Sequence, residues 1–173
     1  IMSQFHRIGI VGRPGHSGVA ETCQRLLEFL TEQSVSVIMD ETTAALADAA
    51  DSEVLAREQL ASNCDLVIVV GGDGSMLNMA KFIVPDQVPV IGINRGKLGF
   101  LTDVLPEELE AQLAAVLAGE YTVENRFMLD VTLAQSGGEE QIGAALNDVV
   151  LHPGKAAQMI EFELFVNDRF VYS

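Results

Sequence analysis

Directly after the unbroken apolar run Leu66 to Val70 stand Gly71, Gly72, Asp73 and Gly74. Successive glycines let backbone N–H groups come close to an anion, and a helix that starts there adds the positive end of its dipole. Gly71, Gly72 and Gly74 are therefore candidates for a phosphate loop. Asp73 is out of place in such a loop, because a carboxylate repels phosphate unless it holds a cation or accepts a proton. A helix N-cap is the competing use of Asp at this point, and spacing alone leaves both open.

Four other polar segments interrupt apolar runs. Asn94-Arg95-Gly96-Lys97-Leu98-Gly99-Phe100 follows Val90 to Ile93. Its polar groups would emerge at the same sheet edge as Asp73, the carboxyl edge where open α/β sheets gather ligands. Asn147-Asp148 offers an amide and a carboxylate to a sugar's vicinal hydroxyls, with a β-bulge or turn as the alternative. Gly12-Arg13-Pro14-Gly15-His16-Ser17-Gly18 is neither GxGxxG nor GK[ST] and serves equally well as a plain strand-to-helix turn, with His16 at the surface. His152-Pro153-Gly154-Lys155 is an ordinary loop by composition.

Strands and helices must position these loops. Arg7 to Val11 forms a buried strand, and Val19, Cys23, Leu26, Leu27 and Leu30 recur at helical spacing through Gln33. Ser34 to Met39 returns to a strand pattern, completing a β-α-β opening. Asp40 to Ser62 forms an acidic, Ala-rich, helix-biased insertion, with Glu53 to Leu60 its best helix. Asp65 to Val70 is the strongest strand, apolar throughout as in parallel sheets covered on both faces. Met76, Leu77, Ala80 and Ile83 supply the next helix face. Pro85 to Pro89 breaks it before the strand Val90 to Ile93, and Pro106 opens a helix that Gly119 stops. Residues 1–119 are thus expected to form a three-layer α/β domain with a mainly parallel sheet.

Past Gly119 the period changes to two, with Phe127, Leu129, Val131 and Leu133 alternating with more polar neighbours. Residues 120–173 are expected to start an antiparallel all-β domain. Further strands are expected over Ala145 to Leu151 and Met159 to Val166, with a hairpin turn at Asn167-Asp168 leading to Arg169 to Tyr172. This last strand runs into Ser173, so the sheet is expected to be incomplete.

The 173 residues carry a formal net charge of -15, which disfavours association with nucleic acid or an anionic membrane surface. An anionic ligand then needs locally concentrated positive charge. Of only 10 Lys and Arg residues, Arg13, Lys81, Arg95, Lys97 and Lys155 lie in or just beyond Gly-containing loops, where solvation is their alternative use. No apolar run approaches the roughly 20 residues that span a bilayer. The start Ile1-Met2-Ser3-Gln4-Phe5-His6 lacks a signal-peptide layout, so a cytoplasmic protein is expected. Cys23 and Cys64 lack metal-ligand spacing and are expected to be buried thiols in a reducing compartment.

With these loops in hand, the chain resembles bacterial NAD kinases, ATP-dependent enzymes that make NADP from NAD. The resemblance rests on Gly71 to Gly74, on Gly92 to Asp103 (GINRGKLGFLTD), and on Leu146 to Lys155 (LNDVVLHPGK) with Met159 to Glu163 following. It implies that Asp73 accepts the proton of the 2′-hydroxyl on NAD's adenosine ribose. It further implies that Asp73, Gly74, Asn147 and Asp148 bind NAD, that Asn94, Leu98, Gly99 and Phe100 shape the dinucleotide pocket, and that Lys81 is a candidate phosphate contact. Gln158 stands where relatives often carry His or Arg. Also implied are ATP as donor, Mg²⁺ or another divalent cation, a sandwich-like second domain and homo-oligomers assembled through it. The sequence stops before the family's Thr-Pro-Thr-Gly-Ser-Thr segment, so this span by itself is expected to be inactive. A lipid or diacylglycerol kinase, which shares a GGDG-type loop, and a non-catalytic dinucleotide-binding fragment are the alternatives.

Overall fold

The computed structural model describes residues 5–49, 51–96, 99–152 and 159–173. Its larger part is a five-stranded sheet built from β1 (Arg7–Gly12), β2 (Ser36–Met39), β3 (Glu53–Val54), β4 (Leu66–Gly71) and β5 (Val90–Asn94), in the order β3-β2-β1-β4-β5. All four pairings are parallel. Parallel neighbours require crossovers, and these are supplied by helices on both faces. The expected three-layer α/β architecture is therefore what the chain adopts.

Cores on both faces of the sheet explain why all six residues of β4 are buried. Leu66, Ile68 and Val70 face one core, shared with Val19, Cys23, Leu26 and Leu30 of α1 (Val19–Glu32) and Leu109, Leu113 and Leu117 of α5 (Leu109–Leu117). Val67 and Val69 face the other, with Leu60 of α3 (Arg57–Leu60) and Met76, Met79 and Ile83 of α4 (Asp73–Ile83). Arg25 of α1 donates through Nε and Nη2 to Glu110 of α5 at 2.7–3.0 Å, tying the two helices on the first face together. Gly119 takes φ +87 just beyond α5, as a helix-stopping glycine should.

The insertion departs from its expected helix. Glu53–Val54 pairs in parallel with Ile38 and Met39 as an edge strand, and only Arg57–Leu60 is α-helical after it. A second short helix, α2 (Glu41–Leu46), is capped by Asp40, whose carboxylate accepts from the Thr43 N–H at 2.7 Å. Arg7 on β1 holds Glu53 through a 2.6 Å ion pair. That long-range contact and the open edge of β2 override the helical propensity of a segment this short.

Beyond α5 lie two separate hairpins, β6 (Leu129–Gln135) with β7 (Gly138–Ala145) and β8 (Leu164–Val166) with β9 (Arg169–Tyr172). The antiparallel character is as expected, but the strand bounds are not. β7 runs through the polar Gly138-Glu139-Glu140-Gln141, whereas Leu146 to Leu151, expected to continue a strand from Ala145, lies outside any strand. Backbone pairing with β6, turned by Ser136-Gly137, decides this where apolar patterning cannot. Of Met159 to Val166 only the last three residues are in a strand. Asn167 and Asp168 have φ of 51° and 61°, the double positive φ that a tight hairpin turn demands.

Cys23 is buried and its thiol is pushed up to about 12, chiefly by desolvation; partly buried Cys64 is also raised, mainly for that reason. Neither is a nucleophile at neutral pH. Glu110 is held below the usual carboxylate range by its hydrogen bonds from Arg25. A lowered folded-state value places the pair's contribution above the unfolded value, and it is lost as pH falls. Arg25→Ala should lower the urea midpoint slightly at pH 7, and the difference from the parent should vanish once acid protonates Glu110. Leu26, fully buried between α1 and the sheet, should cost about 2–5 kcal/mol when cut to Ala. Urea unfolding with an unchanged slope and a lower midpoint is the expected readout.

Candidate functional site

The strand order reverses at β1, so the chain leaves β1 toward β2 and returns to the other side at β4. The carboxyl ends of β1 and β4 therefore flank a topological switch point, the crevice where α/β sheets bind ligands. The two glycine loops, Gly12 to Gly18 and Gly71 to Gly74, end these two strands. They are held together by the Arg13 N–H, which donates to the Val70 carbonyl at 3.1 Å. Arg13 is exposed, and its guanidinium lies 3.5 Å from where a Cβ on Gly74 would stand. His16 is exposed, as expected.

Gly72, not Asp73, is the N-cap of α4, and no side chain caps this helix. Gly72 is extended (φ -130°), and a Cβ there would meet nothing within 4 Å. No side chain caps the first turn of α4, and within it the Ser75 and Met76 N–H groups donate to the Gly72 carbonyl at 2.8 and 3.3 Å. A Cβ on Gly71, by contrast, would overlap the Ser75 hydroxyl. Gly71 is required for packing under the loop, and Gly72 keeps its outer side clear.

Asp73 occupies the first helical position and sends its carboxylate to the neighbouring loop. Its Oδ2 accepts from the Phe100 N–H at 2.8 Å and its Oδ1 from the Leu101 N–H at 3.1 Å. Gly99 is packed so closely against this carboxylate that a Cβ would overlap it. A carboxylate has about four lone-pair directions, so these two bonds orient Asp73 and leave it able to accept a proton. The N-cap alternative is thereby removed, since the carboxylate is engaged across the sheet edge.

The loop after β5 is itself built for this. Parallel register sets Gly71 opposite Asn94, so the two loops leave adjacent strands side by side. Buried Asn94 turns its side-chain oxygen onto the Gly96 N–H at 2.8 Å. The loop returns beside β5 through an Ile93–Val104 bridge and an Asn94 N–H bond to the Val104 carbonyl at 2.9 Å. Phe100 is 90% exposed, leaving its ring free for a ligand face.

The remaining expected residues are less closely gathered. Asn147 and Asp148 are exposed, just after β7, which lies against α4. Lys81 is in the last turn of α4, about 12 Å along the helix from Asp73 by its rise, with its ammonium 4.8 Å from the Phe82 ring centre. This placement lends the phosphate role of Lys81 no support. Leu98 and Gln158 lie outside the described residues. Sequence reasoning missed the reach of Arg95, whose Nε donates to the Thr22 hydroxyl at 2.6 Å. No local signal links positions so far apart in the chain. A depression of about 430 Å³ lined by Asp40, Leu55, Arg57, Asn78 and Phe82 lies beside β2 and β3 and does not include Asp73.

Fold and site together define a doubly wound α/β domain with a glycine turn before an uncapped helix and an oriented carboxylate at its switch point. The family model for the ATP-NAD kinase N-terminal domain matches residues 8–121, and the chain belongs to that family. It is 50% identical over 172 residues to an NAD kinase of Ectopseudomonas mendocina and 51% identical to one of Azotobacter vinelandii. Each match covers 99% of this chain and 58% of the relative, so the chain spans little more than half the length of these proteins. A crystal structure of yeast NADH kinase complexed with NADH superposes with a TM-score of 0.76 at 22% identity, over 96% of this chain and 54% of that one. This likeness bears on the fold, which it shares.

Gly99 supplies a direct check on the site geometry. Gly99→Ala should force the Asp73 carboxylate from its two donors. Amide hydrogen exchange at Phe100 and Leu101 should then quicken at least about tenfold, while the buried β4 amides keep their protection.

Proposed function

We propose that the protein to which this chain belongs transfers the γ-phosphoryl group of ATP to the 2′-hydroxyl of NAD's adenosine ribose, giving NADP. The observation that carries the proposal is Asp73, a carboxylate fixed by two backbone donors beside an uncapped, open-sided glycine loop at the sheet's switch point. In this reading the ribose hydroxyl donates its hydrogen to Asp73 while its oxygen attacks the γ-phosphorus. The bond from that phosphorus to the β,γ-bridging oxygen breaks, ADP departs, and Asp73 keeps the proton. A loose transition state needs little nucleophile charge early, so a carboxylate can take the proton late and positioning outweighs base strength. Gly71, Gly72 and Gly74 let the phosphates approach α4, with Arg13 beside them. Asn94, Gly99 and the exposed Phe100 ring border the dinucleotide, and Asn147 and Asp148 hold it from the hairpin side. Leu98 and Gln158 belong to the same proposed pocket.

Among the described residues no group of three or more His, Cys, Asp or Glu side chains is placed to hold a metal by itself. In this reading Mg²⁺ would be carried mainly by the ATP phosphates, the usual habit of that ion, and would supply charge screening there. Residues 1–119 form the catalytic domain in this reading and 120–173 open the second. The apolar surface exposed on the hairpins, including Ile142, Phe165 and Phe170, is compatible with assembly into homo-oligomers through that second domain. No helix among the described residues is long and apolar enough to cross a membrane, and a cytoplasmic location is part of the same proposal. The lipid-kinase alternative is not favoured by the family match or by the relatives.

In the full-length protein, Asp73→Asn should retain NAD binding by calorimetry and lose about 10²–10⁴-fold in turnover. Near-normal turnover would remove Asp73 as the base. NAD binding by the parent protein without any turnover would favour a non-catalytic binder.

A further inference from the structure

Arg95 begins the loop that grips Asp73, and both its backbone and its side chain are committed to other elements. Its N–H donates to the Gly71 carbonyl at 2.7 Å, one residue before the α4 N-cap. Its side chain leaves β5 and reaches the start of α1, passing by strand order over the end of β4. There Nε meets the Thr22 hydroxyl at 2.6 Å, and Nη2 lies 3.4 Å from Glu21. Thr22 passes the constraint on, donating from the same hydroxyl to the Gly18 carbonyl at 2.9 Å. Gly18 has φ +77, and a Cβ on it would stand 2.6 Å from the guanidinium carbon. The absent side chain makes the floor on which Arg95 lies.

The far end of the loop is held by the Val104 bridge to β5. Between these two anchors lie Phe100 and Leu101, whose N–H groups orient Asp73. We propose that Arg95 is a positioning residue for Asp73, pinning the end of β5 to the first turn of α1 so that Phe100 and Leu101 present both donors to the carboxylate. The proposal rests on the reading of Asp73 as the base. A direct phosphate contact is the competing role for a cation here. The Arg95 side chain is only 19% exposed, and the Thr22 and Glu21 contacts already use part of its donor fork. Lysine cannot reproduce this hold, because one ammonium does not match a planar guanidinium lying on a glycine and donating through Nε.

The test uses the full-length protein and two variants, Arg95→Met, which keeps the stem without the donors, and Thr22→Val, which removes the acceptor at constant shape. Both should lower kcat for NAD phosphorylation by about 10–100-fold, the scale of a misplacement near 1 Å, while the KM for NAD and for ATP each stays within about threefold of the parent. The double variant should be no slower than the slower single one, as for two halves of one contact. Amide exchange at Phe100 and Leu101 should quicken in both single variants, with β4 unchanged. A raised KM for ATP with unchanged kcat would overturn the proposal in favour of direct phosphate binding. Unchanged kcat and unchanged exchange would overturn it outright. If the parent protein makes no NADP, the function assigned to Asp73 fails, and the exchange measurement alone still decides whether Arg95 anchors the loop.

Discussion

Two backbone N–H groups on consecutive residues, Phe100 and Leu101, hold the two oxygens of Asp73, and the geometry of the site follows from that grip. For it to form, the N-cap of α4 must be Gly72, one residue earlier than an Asp cap would allow, so that Asp73 starts the helix and points sideways. Gly99 must lack a Cβ, because one would overlap the carboxylate. Strands β4 and β5 must pair with Gly71 opposite Asn94, so that a loop leaving one meets the loop leaving the other. A single register slip in that parallel pair would turn the side chains of β5 to the wrong faces and carry the donors away. The buried β4, packed on both faces, is what fixes the register.

Under the proposed function, the same arrangement reconciles an acidic protein with anionic ligands. A net charge of -15 repels a triphosphate at long range, so attraction must be local. In the proposed reading it comes from the uncapped start of α4, with the Arg13 guanidinium close to Gly74. Arg95, also nearby, spends its charge on Thr22 and Glu21. Two loop arginines of similar appearance in the sequence thus have different surroundings, one exposed beside Gly74 and one laid down on Gly18.

How much of this could be read from the chain depends on the range of the interaction involved. The buried strands Arg7 to Val11, Leu66 to Val70 and Val90 to Ile93 are legible because apolar continuity is local, and so are the stop at Gly119 and the turn at Asn167-Asp168. Glu53–Val54 is not, since its strand exists through the edge of β2 and the ion pair from Arg7. β7 is missed because its polar residues gain strand geometry from pairing with β6 and not from their own pattern. At the site, the Gly-Gly-Asp-Gly turn is visible, but whether Asp73 caps a helix is decided by residues 27 and 28 positions away. The Lys81 contact drawn from resemblance meets the helical rise, which carries that residue to the far end of α4.

The most direct measurement is a crystal structure of the full-length Asp73→Asn protein with NAD and a non-hydrolysable ATP analogue. The expected result is the adenosine 2′-oxygen within about 2.6–3.2 Å of the residue 73 side chain, with the terminal phosphate against Gly71 to Gly74. A dinucleotide whose adenosine ribose lies elsewhere, or a triphosphate away from the first turn of α4, would contradict the role given to Asp73.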